Sequence, residues 1–267
     1  MLQGKPVIVN LWRYRGYIVK NALSDVRHRY AGSAMGIAWN VITPLAQILI
    51  YSFVFSRIMA VRLTALDPNA SFTLYLCAGL LPWAAFADCV QRGANAFIEN
   101  AHYLKKLPIP EQVFVAKNAA AATLFLAISM TVLGLVTIAV GGTLSPTWLG
   151  VPAALLLLQS FGFGLGLFFG TLNVFVRDIG HALLIALQLW MWVTPVVYVE
   201  TILPAYAQRL LVYNPAYPFI DAMHRMIVGG EWPHVAQWTA MVIWACLAPM
   251  AGYLVLRRLR PELRDVL

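Results

Sequence analysis

The hydrophobic positions of this chain change their spacing near residue 30. Over residues 10–30, apolar side chains recur every three to four residues, which predicts an amphipathic helix. Its broad apolar face carries Leu11, Tyr14, Ile18, Val19, Ala22, Leu23, Val26 and Tyr30, and its polar face carries Arg13, Lys20, Ser24 and Arg27. A helix with one basic and one apolar face is typical of a segment that lies in the interface of a membrane.

After residue 30, the apolar residues form long runs, and a membrane-spanning helix needs about 20 of them. The uncharged stretch from Asn118 to Val176 is too long for one helix, and Gly141-Gly142 and Ser145-Pro146 divide it into two. The pattern therefore predicts an all-α, polytopic membrane protein. Its six transmembrane helices are expected at 33–57, 72–91, 113–140, 148–169, 181–199 and 234–256.

The stretch 200–233 is too charged and too rich in proline to span a membrane. Within it, Ile202–Leu211 and Tyr217–Ile227 have a helical period, which predicts two short helices. Two interpretations are open at this point. The helices either dip back into the outer leaflet and line an exit as an extracytoplasmic gate region, or they lie on the surface of an ordinary external loop.

Composition strengthens the membrane assignment, because 61% of the residues are hydrophobic, only 11% are charged and the mean hydropathy is +0.72. Soluble domains carry about 25% charged residues. We expect one transmembrane domain over 1–267, with no cleavable signal peptide. We expect no nucleic-acid partner, because the residues that give the +8 net charge lie beside apolar runs. With six spans, 15 of the 19 Lys and Arg residues fall on the side of both termini, which predicts that the termini are cytoplasmic.

The chemistry of an enzyme or of a self-powered pump is missing from the pattern. The sequence has no phosphate-binding loop and no metal-ligand spacing among its five histidines and three cysteines. We therefore predict no catalytic residue, metal or cofactor in this chain. Asp88 and Arg92, four residues apart, are best interpreted as an ion pair on one helix face. An integral-membrane glycosyl- or acyltransferase is the alternative from another class, and it would require a catalytic cluster that we do not find.

Small residues and one loop carry further signals. Gly162, Gly166 and Gly170 repeat every four residues, with Gly164 between them, which predicts close packing against another helix. Gly32 and Gly36 repeat the spacing where the chain turns into the first span. In the loop Asn95–Gln112, a short helix over Phe97–Leu107 is expected to stop at Pro108, and the loop is either a solvated connector or a docking element.

Aromatic residues make up 12% of the chain. Those within or at the ends of the spans either pack and contact lipid, or line a path for a glycan by stacking on sugar rings. The candidates for such a path are Trp39, Tyr51, Trp190, Trp192 and Tyr198.

Several short motifs occur together in a fixed order, and each is weak alone. They are Arg29-Tyr30, Gly36-x-x-Trp39, Pro44-Leu45, Ala78-Gly79-Leu80-Leu81-x-Trp83, Asn100 with Lys105-Lys106 and Pro110, Arg177-Asp178-Ile179, Thr194-Pro195-Val196-Val197-Tyr198, and Asn214-Pro215 followed by Arg225, Gly229 and Pro233. The set, which covers roughly residues 10–256, resembles the permeases of type-2 ABC exporters for cell-surface polysaccharide, the Wzm-like O-antigen permeases among them.

The resemblance implies a homodimer in the bacterial inner membrane, bound to two separate ATP-binding cassette subunits that hold ATP and Mg²⁺. It implies that 97–107 is a coupling helix that docks on the ATPase through Glu99, Asn100, His102, Tyr103, Lys105 and Lys106. It places Asn214, Pro215 and Arg225 in the gate region. The implied cargo is an undecaprenyl-pyrophosphate-linked polysaccharide, with O-antigen favoured, while capsule, teichoic acid, a drug or a lipo-oligosaccharide are alternatives.

One hypothesis comes from the residues themselves. Arg15 and Arg29 fall on the apolar face of the interfacial helix, where an uncompensated charge is costly. A lipid pyrophosphate that enters from the inner leaflet would be a suitable partner. Pairing with Asp25 and contact with the ATPase are the alternatives.

Overall fold

The computed structural model describes residues 7–29, 32–54 and 72–266, and every regular element in those ranges is helical. The α-helices are α1 Val7–Arg13, α2 Arg15–His28, α3 Trp39–Phe53, α4 Phe72–Glu99, α5 Ala101–Lys106, α6 Gln112–Ala139, α7 Val151–Phe175, α8 Asp178–Val193, α9 Ala205–Leu211, α10 Tyr217–His224 and α11 Val235–Val266. Shorter helical turns lie at Gly36–Ala38, Pro146–Gly150, Glu200–Ile202 and Arg225–Gly229. The all-α prediction is confirmed for this part of the chain.

Five helical segments are long and apolar enough to cross a membrane. They are Gly36–Phe53, Phe72–Glu99, Gln112–Ala139, Pro146–Phe175 and Val235–Leu263. The fifth predicted span, 181–199, corresponds to α8, which has 16 residues and is shorter than the usual transmembrane helix. The chain is thus a multi-pass membrane protein, with five segments that meet the length expected of a span.

Several helix bounds differ from the expected ones because the helices continue into polar sequence. The second span continues past Gln91 to Glu99, and the last helix continues past Leu256 to Val266. Hydropathy marks where a helix leaves an apolar environment, whereas backbone hydrogen bonding decides where it ends. Residues 55–57 of the first predicted span, and Tyr30 of the interfacial helix, lie outside the described residues.

Helices α4, α7 and α11 run in the same direction, because Phe86 stacks on Phe161 and the hydroxyl of Ser160 donates to the carbonyl of Ala245. Each has one end near α5 and the other near α10. At the first end, which we call the α5 end, the side-chain amide of Asn173 donates to the carbonyl of Ala94 at 3.0 Å. At the other end, the α10 end, the hydroxyl of Tyr75 donates to the carbonyl of Tyr198 at 2.9 Å, and that of Thr147 donates to the carbonyl of Met226 at 2.6 Å. Functional residues at the two ends are therefore separated by the length of the bundle.

Helices α4, α7 and α11 form the centre of the bundle and pack through glycines. A Cβ atom on Gly93 would lie 2.7 Å from the Cα of Gly166, and one on Gly164 would lie 2.2 Å from the backbone nitrogen of Pro249. Because carbon atoms do not pack this closely, only glycine fits at these contacts. The prediction that the glycine repeat of the fourth span serves close helix packing is confirmed.

The N-terminal helix differs from the expected continuous helix. It is divided at Tyr14 into α1 and α2. Ile18 and Ala22 are buried where α2 packs against α6, whereas Val19 and Leu23 remain about half exposed. The predicted broad apolar face is thus a narrow buried stripe flanked by exposed apolar side chains. Beyond α2, Gly32 has a positive φ of 89°, which a glycine adopts without strain, at the turn toward the first span.

Candidate functional site

The helix α5 is a short, exposed element at the α5 end, and only one of its side chains anchors it. Leu104 is 1% exposed and packs into the core, whereas its neighbours face outward. The outward-facing residues of the connection are Glu99, His102, Tyr103, Lys105 and Lys106. Pro108 and Pro110 follow, and Leu107 is already in extended backbone, as the predicted proline stop requires.

The start of the predicted coupling helix lies elsewhere than expected. Residues 97–99 complete α4, and the chain breaks at Asn100, which is only 7% exposed. The amide of Asn100 donates to the carbonyl of Ala96 at 2.7 Å, and its Oδ1 accepts a hydrogen bond from Lys117 Nζ of α6 at 3.0 Å. The other predicted docking residues present a surface, whereas Asn100 holds the position of α5 from beneath.

A buried ion pair supports the same region from the other side. The carboxylate of Glu111, at the start of α6, lies 3.1 Å from the guanidinium of Arg260 in α11, with side-chain exposures of 2% and 13%. Leu263, one turn further along α11, is fully buried in the cluster that contains Leu104. The C-terminal turns of α11 therefore pack beneath the loop between α5 and α6, which the sequence analysis did not anticipate.

A chain of four charged side chains links α2 to α4 beside this region. Arg92 lies 2.6 Å from Asp25 and 3.8 Å from Asp88, which confirms the predicted pair between Asp88 and Arg92. Arg29 lies 3.4 Å from the same Asp88, and its guanidinium stacks 4.7 Å above the ring of Phe125. The alternating charges surround an open cavity of about 290 Å³ whose lining includes Asp25, His28, Arg29 and Arg92.

Arg15 does not share that cavity. It is exposed, its guanidinium donates to the carbonyl of Trp12 at 2.9 Å, and it stacks 4.7 Å above the Trp12 ring. At 1.5 Å per residue, the helical stretch between Arg15 and Arg29 is about 21 Å long. The structure therefore separates the two arginines that the sequence analysis grouped.

At the α10 end, Asn214 joins the end of α8 to the start of α10. Its Oδ1 accepts hydrogen bonds from Trp190 Nε1 at 2.8 Å and from the backbone N–H of Ala216 at 3.0 Å. Its Nδ2 donates to the hydroxyl of Thr194 at 2.9 Å. Pro215 follows, half-buried. Every polar atom of the Asn214 side chain thus has a partner, which fixes the entry of the chain into α10.

A second polar cluster surrounds α10. Asp221 accepts hydrogen bonds from Arg225 at 2.8 Å and from Gln237 of α11 at 2.9 Å, and the hydroxyl of Tyr217 donates to Glu200. The hydrogen bond from Asp221 raises the pKa of Arg225, while burial and the bond to Glu200 raise the pKa of Tyr217. A cavity of about 170 Å³ lies within this cluster.

His224 is the most deeply buried titratable group of this cluster. Its ring stacks on Tyr75 of α4 with centroids 3.8 Å apart. A Cβ atom on Gly79 would lie 2.8 Å from its Nε2, so Gly79 makes room for the imidazole. Burial lowers the pKa of His224 to about 3, and the ring is therefore neutral at physiological pH.

The predicted glycan-path aromatics do not form one surface in the single chain. Trp190 and Tyr51 are both half-buried against the same core, and the ring centroid of Trp190 lies 5.8 Å from that of Phe86. Trp39 on α3 and Trp192 on α8 are exposed by 36% and 57%. The hydroxyl of Tyr198 donates to the carbonyl of Trp192 at 2.8 Å.

Within residues 7–29, 32–54 and 72–266, no group of three or more His, Cys, Asp or Glu side chains is arranged to hold a metal ion.

Comparison with known proteins identifies the family of the chain. The sequence profile of the ABC-2 type transporter family matches residues 21–227. The chain belongs to this family.

Several known proteins are similar to the chain over most of its length. An O-antigen export system permease protein RfbA from Klebsiella pneumoniae is 30% identical over 77% of this chain and 78% of its own length. A protein of the same name from Myxococcus xanthus is 28% identical over 90% of this chain and 93% of its own length. The polysialic acid transport protein KpsM from Escherichia coli is 21% identical over 78% of this chain and 80% of its own length.

The ABC-2 match extends from within α2 to the turn after α10, so it includes α5, the Asp25–Arg92 charge chain and the Asn214 network. Membership of this transporter family makes the chain a transport subunit rather than an enzyme. Arg260 lies beyond the matched range. Its partner Glu111 is 149 residues earlier in the chain, so no local signal could have connected the two.

Proposed function

We propose that this chain is the membrane-spanning permease of an ATP-driven exporter that carries lipid-linked O-antigen across the bacterial inner membrane. The observation that supports this cargo most is the similarity to permeases named for O-antigen export, at 27–30% identity over 77–91% of the chain. The relative named for polysialic acid transport is more distant, at 21%, which favours O-antigen over capsule. Within the O-antigen assignment, an undecaprenyl-pyrophosphate carrier is the proposed lipid.

We place six spans in the membrane, with both termini in the cytoplasm and the α5 end on the cytoplasmic side. The Lys and Arg distribution supports this orientation, because 15 of 19 fall on the side of the termini. The course of α8 supports the fifth predicted span, which brings the proposed total to six. Gln91 donates to the carbonyl of Gly180 near its start, while Trp190 near its end reaches Asn214 at the α10 end. Its 16 residues extend about 24 Å.

In this orientation α5 is the element that meets a separate ATP-binding cassette subunit. Its exposed basic and aromatic side chains, and the anchors beneath it, support a docking role over that of a solvated connector. The proposed complex contains two copies of this chain and two ATPase subunits, which bind the ATP and Mg²⁺. The exposed apolar faces of α3 and α8 would meet between the copies, so that Trp39 and Trp192 line the glycan path there.

The short helices between α8 and α11 are the proposed extracytoplasmic gate. Phe219 of α10 stacks on Phe161 of α7 with centroids 5.5 Å apart. Phe161 lies ten residues, or about 15 Å, from the start of α7. This depth supports a segment that enters the membrane and returns, because its backbone is surrounded by protein rather than by lipid.

For the lipid pyrophosphate we propose the cavity beside Arg29. Arg92 and His28 line the cavity as well, beside Asp25, so two arginine side chains would face a ligand of high negative charge. Arg15 lies outside this cavity and is proposed only as a residue of the membrane-facing surface. In an export assay, Arg29→Ala should lower export while Arg15→Ala does not. Normal export by Arg29→Ala in an assembled complex would remove the headgroup site from the proposal.

The function is tested by deleting the gene and analysing the surface polysaccharide. We expect the long O-antigen to be lost from the surface and lipid-linked glycan to accumulate inside the cell, with both restored by the wild-type gene. An unchanged surface polysaccharide would contradict the proposal. Retention of O-antigen with loss of capsule would reassign the cargo.

Docking is tested separately by co-purification with the ATPase subunit. Lys105→Glu with Lys106→Glu should reduce the ATPase recovered with the permease at least fivefold while leaving the permease folded. The matched control is Arg209→Glu, an exposed charge reversal in α9 at the opposite end. Equal recovery of the ATPase with all variants would contradict docking through α5.

A further inference from the structure

An apolar groove of about 510 Å³ lies between α6 and α7 on the surface of the bundle, and neither end of the proposed export path uses it. The residues that line it include Thr123, Ala127, Gly134, Ile138, Trp148 and Leu155. At 1.5 Å per residue, the groove extends about 22 Å along α6. That length exceeds the hydrocarbon depth of one leaflet, which is about 15 Å.

The groove presents apolar surface almost throughout. The hydroxyl of Thr123 donates to the carbonyl of Ala119 at 2.8 Å, and that of Thr131 donates to the carbonyl of Ala127 at 2.8 Å. Among the described residues of its lining, none carries a charge. A polar ligand would therefore lose its hydrogen bonds to water in the groove without gaining hydrogen bonds to protein, whereas a hydrocarbon chain has no hydrogen bonds to lose.

We propose that this groove binds an acyl chain of a phospholipid from the leaflet at the α10 end. Both walls belong to segments long and apolar enough to span the membrane, so the surrounding molecules are lipids. Most of the groove lies in the half of α6 nearer to the α10 end, because it begins at Thr123, shortly before the middle of the helix, and reaches Ile138, one residue before the helix ends. A polyprenyl pyrophosphate would need cationic side chains near its headgroup, and the described lining offers none.

The bound chain has a contact that ordinary surface lipid does not have. It touches Trp148 in the turn Pro146–Gly150. In the same turn, Thr147 donates to the carbonyl of Met226, which lies in the turn that follows α10. The lipid therefore stabilises the turn to which the segment after α10 is bonded.

The site is tested by filling the groove. Ala127 is exposed, and a Cβ atom on Gly134 would meet only the Trp148 ring, at 3.5 Å, so larger side chains at both positions extend into the groove. The variants are Ala127→Trp and Gly134→Leu. The control is Ala251→Trp, which adds the same indole at an exposed position of α11, outside the groove.

The purified proteins are washed with detergent, and the phospholipid that remains bound is counted by native mass spectrometry. We expect the occupancy of the most tightly retained phospholipid to fall at least fivefold in both groove variants and to stay at the wild-type level in Ala251→Trp. Equal retention in all proteins would overturn the proposal, as would a retained polyprenyl lipid or a loss of dimer without a loss of lipid. Because no transport is measured, failure of the export assignment would leave this result unchanged.

Discussion

The Glu111–Arg260 ion pair allows a quantitative prediction about the α5 end. Replacing Arg260 with methionine keeps most of the side-chain volume but removes the Arg260 guanidinium from the Glu111 carboxylate, which is 2% exposed. Val113 and Leu263 are fully buried in the neighbouring apolar cluster. Breaking one partner of a buried pair costs about 3–5 kcal/mol. The partial exposure of Arg260 places the expected loss near the lower limit, about 3 kcal/mol.

The measurement is reversible unfolding of the purified protein in detergent, with Arg258→Met as the control because Arg258 is exposed on the same helix. We expect the control to stay within about 0.5 kcal/mol of wild type. The double variant Glu111→Leu with Arg260→Met should recover most of the loss, because an apolar pair of similar volume often replaces a buried ion pair without cost. If the Arg260→Met loss is below about 1 kcal/mol, or the double variant is less stable than the single one, the ion pair does not hold this region together.

Three further predictions concern packing, hydrogen bonding and pH. Gly164→Ala should destabilise the folded protein by about 1–3 kcal/mol, because the added methyl group meets the backbone at Pro249. Gly16→Ala, with open space around it, should leave the stability unchanged, and thermal unfolding measures both variants. Asn214→Ala leaves the half-buried indole N–H of Trp190 and the buried backbone N–H of Ala216 without their acceptor and should cost about 1–3 kcal/mol in the same measurement. His224 binds its proton only near pH 3 when folded, but near pH 6.5 when unfolded. Stability should therefore be fully present above pH 6.5 and should have fallen by about 2 kcal/mol at pH 5, a loss that His224→Gln removes.

The membrane-spanning part of the fold was predictable because its signal is local. A helix in lipid must satisfy its backbone internally and must expose apolar side chains, and both demands act on consecutive residues. The glycine repeat from Gly162 to Gly170 was informative for the same reason, since one helix face suffices to indicate close packing. The end of α8 was less predictable. The helix stops before Thr194, whose hydroxyl accepts a hydrogen bond from Asn214, a partner 20 residues away in the sequence.

The partners of charged residues were not predictable in this way. Arg15 and Arg29 both fall on the apolar side of one helix, and the sequence pattern alone predicts a shared partner for them. The structure gives Arg29 a carboxylate from α4, at Asp88, while Arg15 stacks on its own neighbour Trp12. Which of two similar arginines obtains a carboxylate partner depends on how α2 packs against the bundle. That packing is decided by the narrow stripe of Ile18 and Ala22, which the periodicity of α2 could not separate from its exposed apolar residues.

The motif residues that carried the family resemblance have a common physical role at the breaks between helices. Asn100 bonds the backbone where α4 ends and α5 begins, and Asn214 bonds the backbone where the chain enters α10. In the apolar middle of a span, many side chains of similar size serve equally well. At a break inside or beside a membrane, freed N–H and C=O groups need a partner of defined geometry, and few side chains provide one. Short motifs at such breaks therefore identify the fold more reliably than the longer apolar runs, even though the sequence does not reveal which atoms they bind.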